Sequence, residues 1–164
     1  MNCKPFAETS IMPDQEFTEI HRKLIGTSQI GAIAGYSDYV SPFEVYLEKI
    51  GQLPDQQEQH ESALWGKLHE PTISAEFARR YKKALVNPEM IYQHNDLPYL
   101  LCTPDRFVTD SYGRWMEVVE LKTASEYKAT EWANDSIPAR YEIQTQMQLH
   151  FFDLPKGWLV CLIG

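Results

Sequence analysis

Two stretches, Thr103-Pro104-Asp105-Arg106-Phe107 and Glu117-Val118-Val119-Glu120-Leu121-Lys122, decide the reading of this chain, with Asp110-Ser111-Tyr112-Gly113 between them as a hairpin turn. Side chains alternate along a strand, so Glu120 and Lys122 project from one face about 7 Å apart while Leu121 points to the other. Pairing across the hairpin brings Asp105 beside Glu120, which places two hard oxygen ligands at one divalent cation. Mg²⁺ suits that oxygen-rich arrangement, with Mn²⁺ as the alternative, and the Leu121 backbone carbonyl offers a further ligand. A cation held there polarises a phosphate and lowers the pKa of a bound water, which Lys122 can orient. Glu117, three residues before Glu120, is expected to face away from this group.

A Glu-x-Lys pair on a strand is by itself most often a surface ion pair. Here it ends an apolar run that begins at Trp115 and reads as a central, buried strand. A carboxylate buried in such a strand needs partners, and a metal is one of them.

Outward from this hairpin, strands are expected over Met90–His94, 99–102, Arg106–Thr109 and 114–122 as a meander, with a last apolar strand at Gly157–Ile163. The N-terminal half has helical periodicity. Asp14–Lys23 sets Phe17, Ile20 and Leu24 on one side, and Thr27 or Ser28 caps a short helix running through Ile33. Ser41-Pro42 opens a third helix, with Glu44 completing a capping box and Phe43, Val45, Tyr46, Leu47 and Ile50 on its buried side. A polar loop at 52–59 leads to a long helical pattern over 60–84, which Pro71 should kink or restart. Further helices are expected at 125–134 and Ala139–Phe152. The order implies an α/β (α+β) fold with a central mixed β-sheet flanked by helices.

The chain has 164 residues, enough for one domain with a real core and too few for two ordinary ones, so residues 1–164 are expected to form a single catalytic module. The chain stops at Gly164 directly after its last strand, so a natural C-terminal extension beyond it is expected. The three cysteines, Cys3, Cys102 and Cys161, are widely spaced and form no Cys-x-x-Cys pair, so neither a disulfide framework nor a zinc site is indicated. There is no apolar run of membrane-spanning length and no signal-peptide pattern, so a cytoplasmic protein is expected, in a bacterial or phage-infected cell. A net charge of −8 argues against a protein that coats nucleic acid by charge alone. It leaves room for an enzyme whose carboxylates gather around a metal.

Pro104-Asp105 and Glu120-Leu121-Lys122 resemble the PD-(D/E)XK nuclease core. The flanking segments resemble the YqaJ-like viral recombinase family, to which the phage lambda exonuclease belongs. Trp65-Gly66-Lys67-Leu68-His69-Glu70 is similar to that family's Trp-Gly-x-x-x-Glu segment, and Tyr141-Glu142-Ile143-Gln144-Thr145-Gln146 to its Tyr-x-x-Gln-x-Gln helix. Arg22 with Gly26-Thr27-Ser28 resembles its opening segment. These blocks run from Arg22 to Gln146 in the family's order, whereas Thr123-Ala124 stands where many relatives have Cys-Pro.

The resemblance implies a restriction-endonuclease-like core and a Mg²⁺-dependent exodeoxyribonuclease. Glu70, Asp105, Glu120 and the Leu121 carbonyl would hold the metal, and Asp105, Glu120, Lys122 and Gln144 would carry catalysis. Arg22 and Ser28 would bind the 5′-phosphate of a duplex end, through a forked guanidinium and a neutral hydroxyl. It further implies 5′-to-3′ digestion that leaves 3′ single-strand tails, a ring-shaped homotrimer around DNA and a single-strand annealing protein as partner. Two alternatives stay open: a catalytically silent DNA-end-binding or scaffold module, and a nuclease of the same core acting on another DNA form, Cas4-like or helicase-linked. The missing cysteine cluster argues against an iron–sulfur version.

Overall fold

The computed structural model describes residues 1–53 and 61–164, so most of the polar loop expected at 52–59 lies outside the described residues. Along the chain come β1 (Cys3–Glu8), α1 (Asp14–Lys23), β2 (Ile25–Gly26), a 3-10 turn (Thr27–Gln29), α2 (Ile30–Ile33), α3 (Pro42–Lys49) and α4 (Glu61–Tyr81). Then follow β3 (Ala84–Val86), β4 (Met90–His94), β5 (Leu100–Cys102), β6 (Arg106–Thr109), β7 (Trp115–Ala124), a 3-10 segment (Glu126–Asp135), α5 (Ala139–Phe152) and β8 (Gly157–Ile163).

β6 and β7 pair antiparallel across the expected turn, and β8 returns parallel to β7 after the α5 crossover. At the turn, Asp110 Oδ1 accepts from the amides of Tyr112 and Arg114, and Gly113 takes φ +77°, which a glycine adopts without steric cost. β3 completes a mixed sheet in the order β3-β6-β7-β8. A second mixed sheet has the order β1-β4-β5-β2.

The expected meander therefore divides between β5 and β6. Thr103-Pro104-Asp105 is the passage from one sheet to the other, and Pro104 has no amide hydrogen with which to extend a ladder. Asp105 is thereby left off the strand, free to turn its side chain back toward β7.

The two faces of β7 are sorted by alternation. Val118 packs with Phe107, Tyr92 and the α5 residues Phe151 and Phe152, while Val119 and Leu121 pack with Ile73 and Phe77 of α4. Helices thus cover both faces of the strand that carries Glu120 and Lys122. At the N-terminal side α2 lies so close to α5 that a methyl group on Gly31 would stand 2.8 Å from Arg140 Cα.

Several elements differ from expectation. β1, β2 and β3 are too short, or in β1 too interrupted by a Pro5/Ala7 bulge, to produce a readable alternation. α4 is one helix through Pro71, and it ends at Tyr81 because Lys82 turns to φ +51° ahead of β3. The Ser41 capping box forms as expected, with the hydroxyl accepting from Glu44 N at 3.2 Å. Of the side chains assigned to the buried side of α3, only Val45 is buried; Phe43, Tyr46 and Ile50 are exposed. Neither Thr27 nor Ser28 caps α2 through its side chain; they belong to the 3-10 turn, where the Gly26 amide donates to Gln29 Oε1 at 3.3 Å. Among the described residues no helix is long and apolar enough to cross a membrane.

Candidate active site

Glu120 is the centre of the site, a carboxylate 2 % exposed on the α5-facing side of β7. Its Oε1 accepts from Lys122 Nζ at 2.5 Å and from Gln144 Nε2 at 2.5 Å, and its Oε2 accepts from Gln148 Nε2 at 2.6 Å. A buried charge without partners is costly, and these three donors are the compensation. Gln144 and Gln148 stand one turn apart on α5, so a single helix face delivers both amides.

Lys122 shares the face of Glu120, as alternation requires, and its ammonium lies 5.1 Å over the Tyr141 ring. Burial alone would lower its pKa, but the Glu120 and Asp105 carboxylates outweigh that and hold it above the ordinary lysine value. The side chain is therefore a charged donor at neutral pH.

Asp105 Oδ2 accepts from the Leu121 amide at 2.7 Å. The β6–β7 ladder ends at the Arg106–Val119 pair, so Leu121 is the next residue of β7 whose amide faces that edge. The amide and carbonyl of one strand residue point to the same edge, which aims the Leu121 carbonyl toward Asp105 as well. Burial, with the Glu120 carboxylate second, pushes the Asp105 carboxyl up to about 8. Glu70 of α4 lines the same cavity. Burial raises its carboxyl and Glu120 adds to the rise, while Arg106 opposes it.

The cavity has a volume of about 650 Å³, and Ser28, Glu70, Asp105, Glu120, Lys122 and Gln144 all contribute to its wall, as does Leu121. Seven of the eight residues singled out from sequence thus meet in one place. The eighth, Arg22, lines an adjoining cavity of about 1340 Å³, and Ser28 borders both. Among the described residues, no three His, Cys, Asp or Glu side chains converge as a closed metal-binding group. The carboxylates are instead distributed over the cavity wall, with Glu120 turned to its nitrogen donors. The donor set is nevertheless the right kind for a hard cation: three carboxylates, a strand-edge carbonyl and Thr103 Oγ1, which is buried without a hydrogen-bond partner.

Glu117 faces away, as expected, and is engaged by Lys83 Nζ at 3.1 Å and Trp158 Nε1 at 2.5 Å. Gln148 lies outside the Tyr-x-x-Gln-x-Gln segment, whose second glutamine, Gln146, is exposed; the i, i+4 spacing from Gln144 is the helical signal that points to it.

The chain is similar to known proteins along most of its length. A protein of Bacillus subtilis (strain 168), the uncharacterized protein YqaJ, is 32% identical over 160 residues, covering 96% of this chain and 49% of that protein. The chain therefore spans about half the length of that curated relative. Among solved structures, the alkaline exonuclease LHK-Exo from Laribacter hongkongensis superposes with a TM-score of 0.71 at 16% identity, covering 91% of this chain and 74% of that one. LHK-Exo in complex with dAMP superposes with a TM-score of 0.69 at 14% identity, covering 91% and 73%. At these identities the likeness is one of fold, a restriction-endonuclease-like core of mixed sheets flanked by helices. Residues 16–153 match the YqaJ-like viral recombinase domain, and with that match and the similarity to YqaJ the chain belongs to the YqaJ-like viral recombinase family.

Proposed function

We propose that this domain is a Mg²⁺-dependent exodeoxyribonuclease that digests duplex DNA from its 5′ ends and leaves 3′ single-strand tails for phage-type recombination. The observation that carries the proposal is an excess of carboxylate in one cavity. Glu120 is buried beside Asp105, whose carboxyl is driven up to about 8, and Glu70 is raised in the same wall. Such crowding is relieved by a divalent cation.

Glu70, Asp105, Glu120 and the Leu121 carbonyl would hold the ion, with Mn²⁺ as an alternative to Mg²⁺. When bound, it supplies Lewis acidity toward a phosphate oxygen and a lowered pKa for a coordinated water. Lys122 keeps its proton and donates hydrogen bonds to the attacking water or to a non-bridging phosphate oxygen. Gln144 and Gln148 lock the Glu120 carboxylate, so its position does not have to be reorganised during the reaction. Ser28 and Arg22, on the two adjoining cavities, favour a phosphorylated strand end over an internal phosphodiester.

Cleavage of end-labelled linear duplex with Mg²⁺, beside EDTA and a Glu120→Gln variant, tests this reading. Digestion that requires the ion and is lost in the variant is expected; digestion in EDTA at the same rate would overturn it. A silent end-binding module is the second reading, favoured by the engagement of both Glu120 oxygens with nitrogen donors. It corresponds to binding of DNA ends without cleavage in either Mg²⁺ or Mn²⁺.

A further inference from the structure

Arg106 lines the carboxylate cavity and has no part in the roles assigned above. It is the first residue of β6 and the register partner of Val119, so the two side chains leave the sheet on one face. Val119 packs with Ile73 and Phe77 of α4, and Glu70 stands three residues before Ile73 on that helix. Arg106 therefore projects on the α4 face, where its charge acts on Glu70, whereas Lys122 projects on the α5 face and is paired with Glu120. The cavity is thus provided with one cation from each face of the sheet.

The guanidinium is anchored and still has donors to spare. Its Nη1 donates to the Asp105 carbonyl oxygen at 2.5 Å. A guanidinium carries five N–H donors in a rigid fork and no acceptor. Among the described residues, Nε and Nη2 meet no acceptor, and neither is sealed from solvent. Arg79, Arg80, Arg114 and Arg140 each hold a carboxylate in an ion pair, and Arg106 holds none among the described residues. Glu70 does not take that place: Arg106 opposes the rise of its carboxyl without cancelling it. A counter-ion dedicated to Glu70 would close on it, whereas this one is tied to the main chain of Asp105 and keeps donors open in the cavity.

A half-buried guanidinium with unused donors matches a paired oxyanion, and the non-bridging oxygens of a phosphodiester present that pair. We propose that Arg106 binds an internal backbone phosphate of the nucleic-acid strand from the α4 face, while Lys122 meets the strand from the α5 face. This rests on the nuclease reading above, since that reading supplies the strand. The anchor on the Asp105 carbonyl gives the contact its precision, because the backbone that places the Asp105 carboxylate also places the fork. A lysine at this position would supply the charge without the fork. The contact positions the strand and reads no sequence.

The test uses short duplexes with 5′-hydroxyl ends, which removes any contribution from a terminal phosphate, and Ca²⁺ in place of Mg²⁺. Binding is read by fluorescence anisotropy over a range of salt concentrations, on natural DNA and on a series in which one linkage at a time is an uncharged methylphosphonate. Arg106→Gln is expected to bind natural DNA about tenfold or more weakly and to lower the log–log salt slope by about one. At one linkage the methylphosphonate is expected to weaken the unaltered protein and to leave Arg106→Gln unaffected, a coupling that a merely structural role would not produce. Arg106→Lys is expected to keep the salt slope and to recover part of the affinity, which separates a lost contact from a folding defect. Arg106→Gln binding with unchanged affinity and slope, or paying the same penalty as the unaltered protein at every linkage, would overturn the assignment and leave the nuclease reading standing. An unaltered protein that binds no duplex would overturn both.

Discussion

Asp105 and Glu120 cannot both carry full negative charge cheaply in a recessed cavity without a cation. The Asp105 carboxyl is pushed up to about 8 by burial and by Glu120, so the proposed cation binding would be tied to proton release. In the metal-free protein its folded pKa lies above the unfolded value of 3.8, so the folded state holds a proton that the unfolded state has already released. The associated stability is complete below that value and is lost as pH rises through about 8, and Glu70 shifts in the same direction. Thermal unfolding in EDTA is therefore expected to show a lower Tm at about pH 9 than at about pH 5, with the slope reduced in Asp105→Asn and at saturating Mg²⁺. A slope that Asp105→Asn leaves unchanged would contradict the assignment. The identities of these residues were legible in the sequence because strand alternation alone puts Glu120 and Lys122 on one face. The contact from Asp105 to the Leu121 amide was not legible, because it depends on where the β6–β7 ladder stops.

At the scale of elements, the site depends on α5 being held against β7, since α5 carries both glutamines that grip Glu120. The α2–α5 contact is one clamp. A side chain at Gly31 meets the Arg140 backbone, with 2.8 Å to Cα and 3.0 Å to the carbonyl oxygen, and backbone cannot swing aside as a side chain can. Gly31→Ala is expected to destabilise the fold by ~1–3 kcal/mol, read as a lower denaturant midpoint at unchanged slope. A midpoint equal to that of the unaltered protein would show that α2 shifts without cost. Helices α1, α3 and α5 and the strands from β4 to β8 carried enough periodicity or turn chemistry to be placed from sequence. The division into two sheets escaped, because β2 and β3 have two and three residues and pairing over such lengths is decided by tertiary contacts. The burial of α3 was overestimated for a related reason: apolar periodicity identifies a face, but whether a neighbour covers it is settled elsewhere in the molecule.

For the molecule as a whole, the net charge of −8 gives DNA no general electrostatic attraction. Under the proposed function, engagement would have to come from specific features: the two adjoining cavities, the Lys122 ammonium and a cation that neutralises the carboxylate wall. That economy suits the proposed action at strand ends, which needs no binding along a duplex.

We propose that this carboxylate-lined cavity performs phosphodiester hydrolysis with Lys122 as its positioned ammonium. The most direct measurement is the release of acid-soluble nucleotides in Mg²⁺ from 5′-phosphorylated linear duplex and from covalently closed circles, for the unaltered protein and Lys122→Ala in parallel. Digestion of the linear DNA, survival of the circles and a loss of about 10²-fold or more in the variant are expected. Nucleotide release from linear DNA that Lys122→Ala leaves undiminished, or no release with either Mg²⁺ or Mn²⁺, would contradict it.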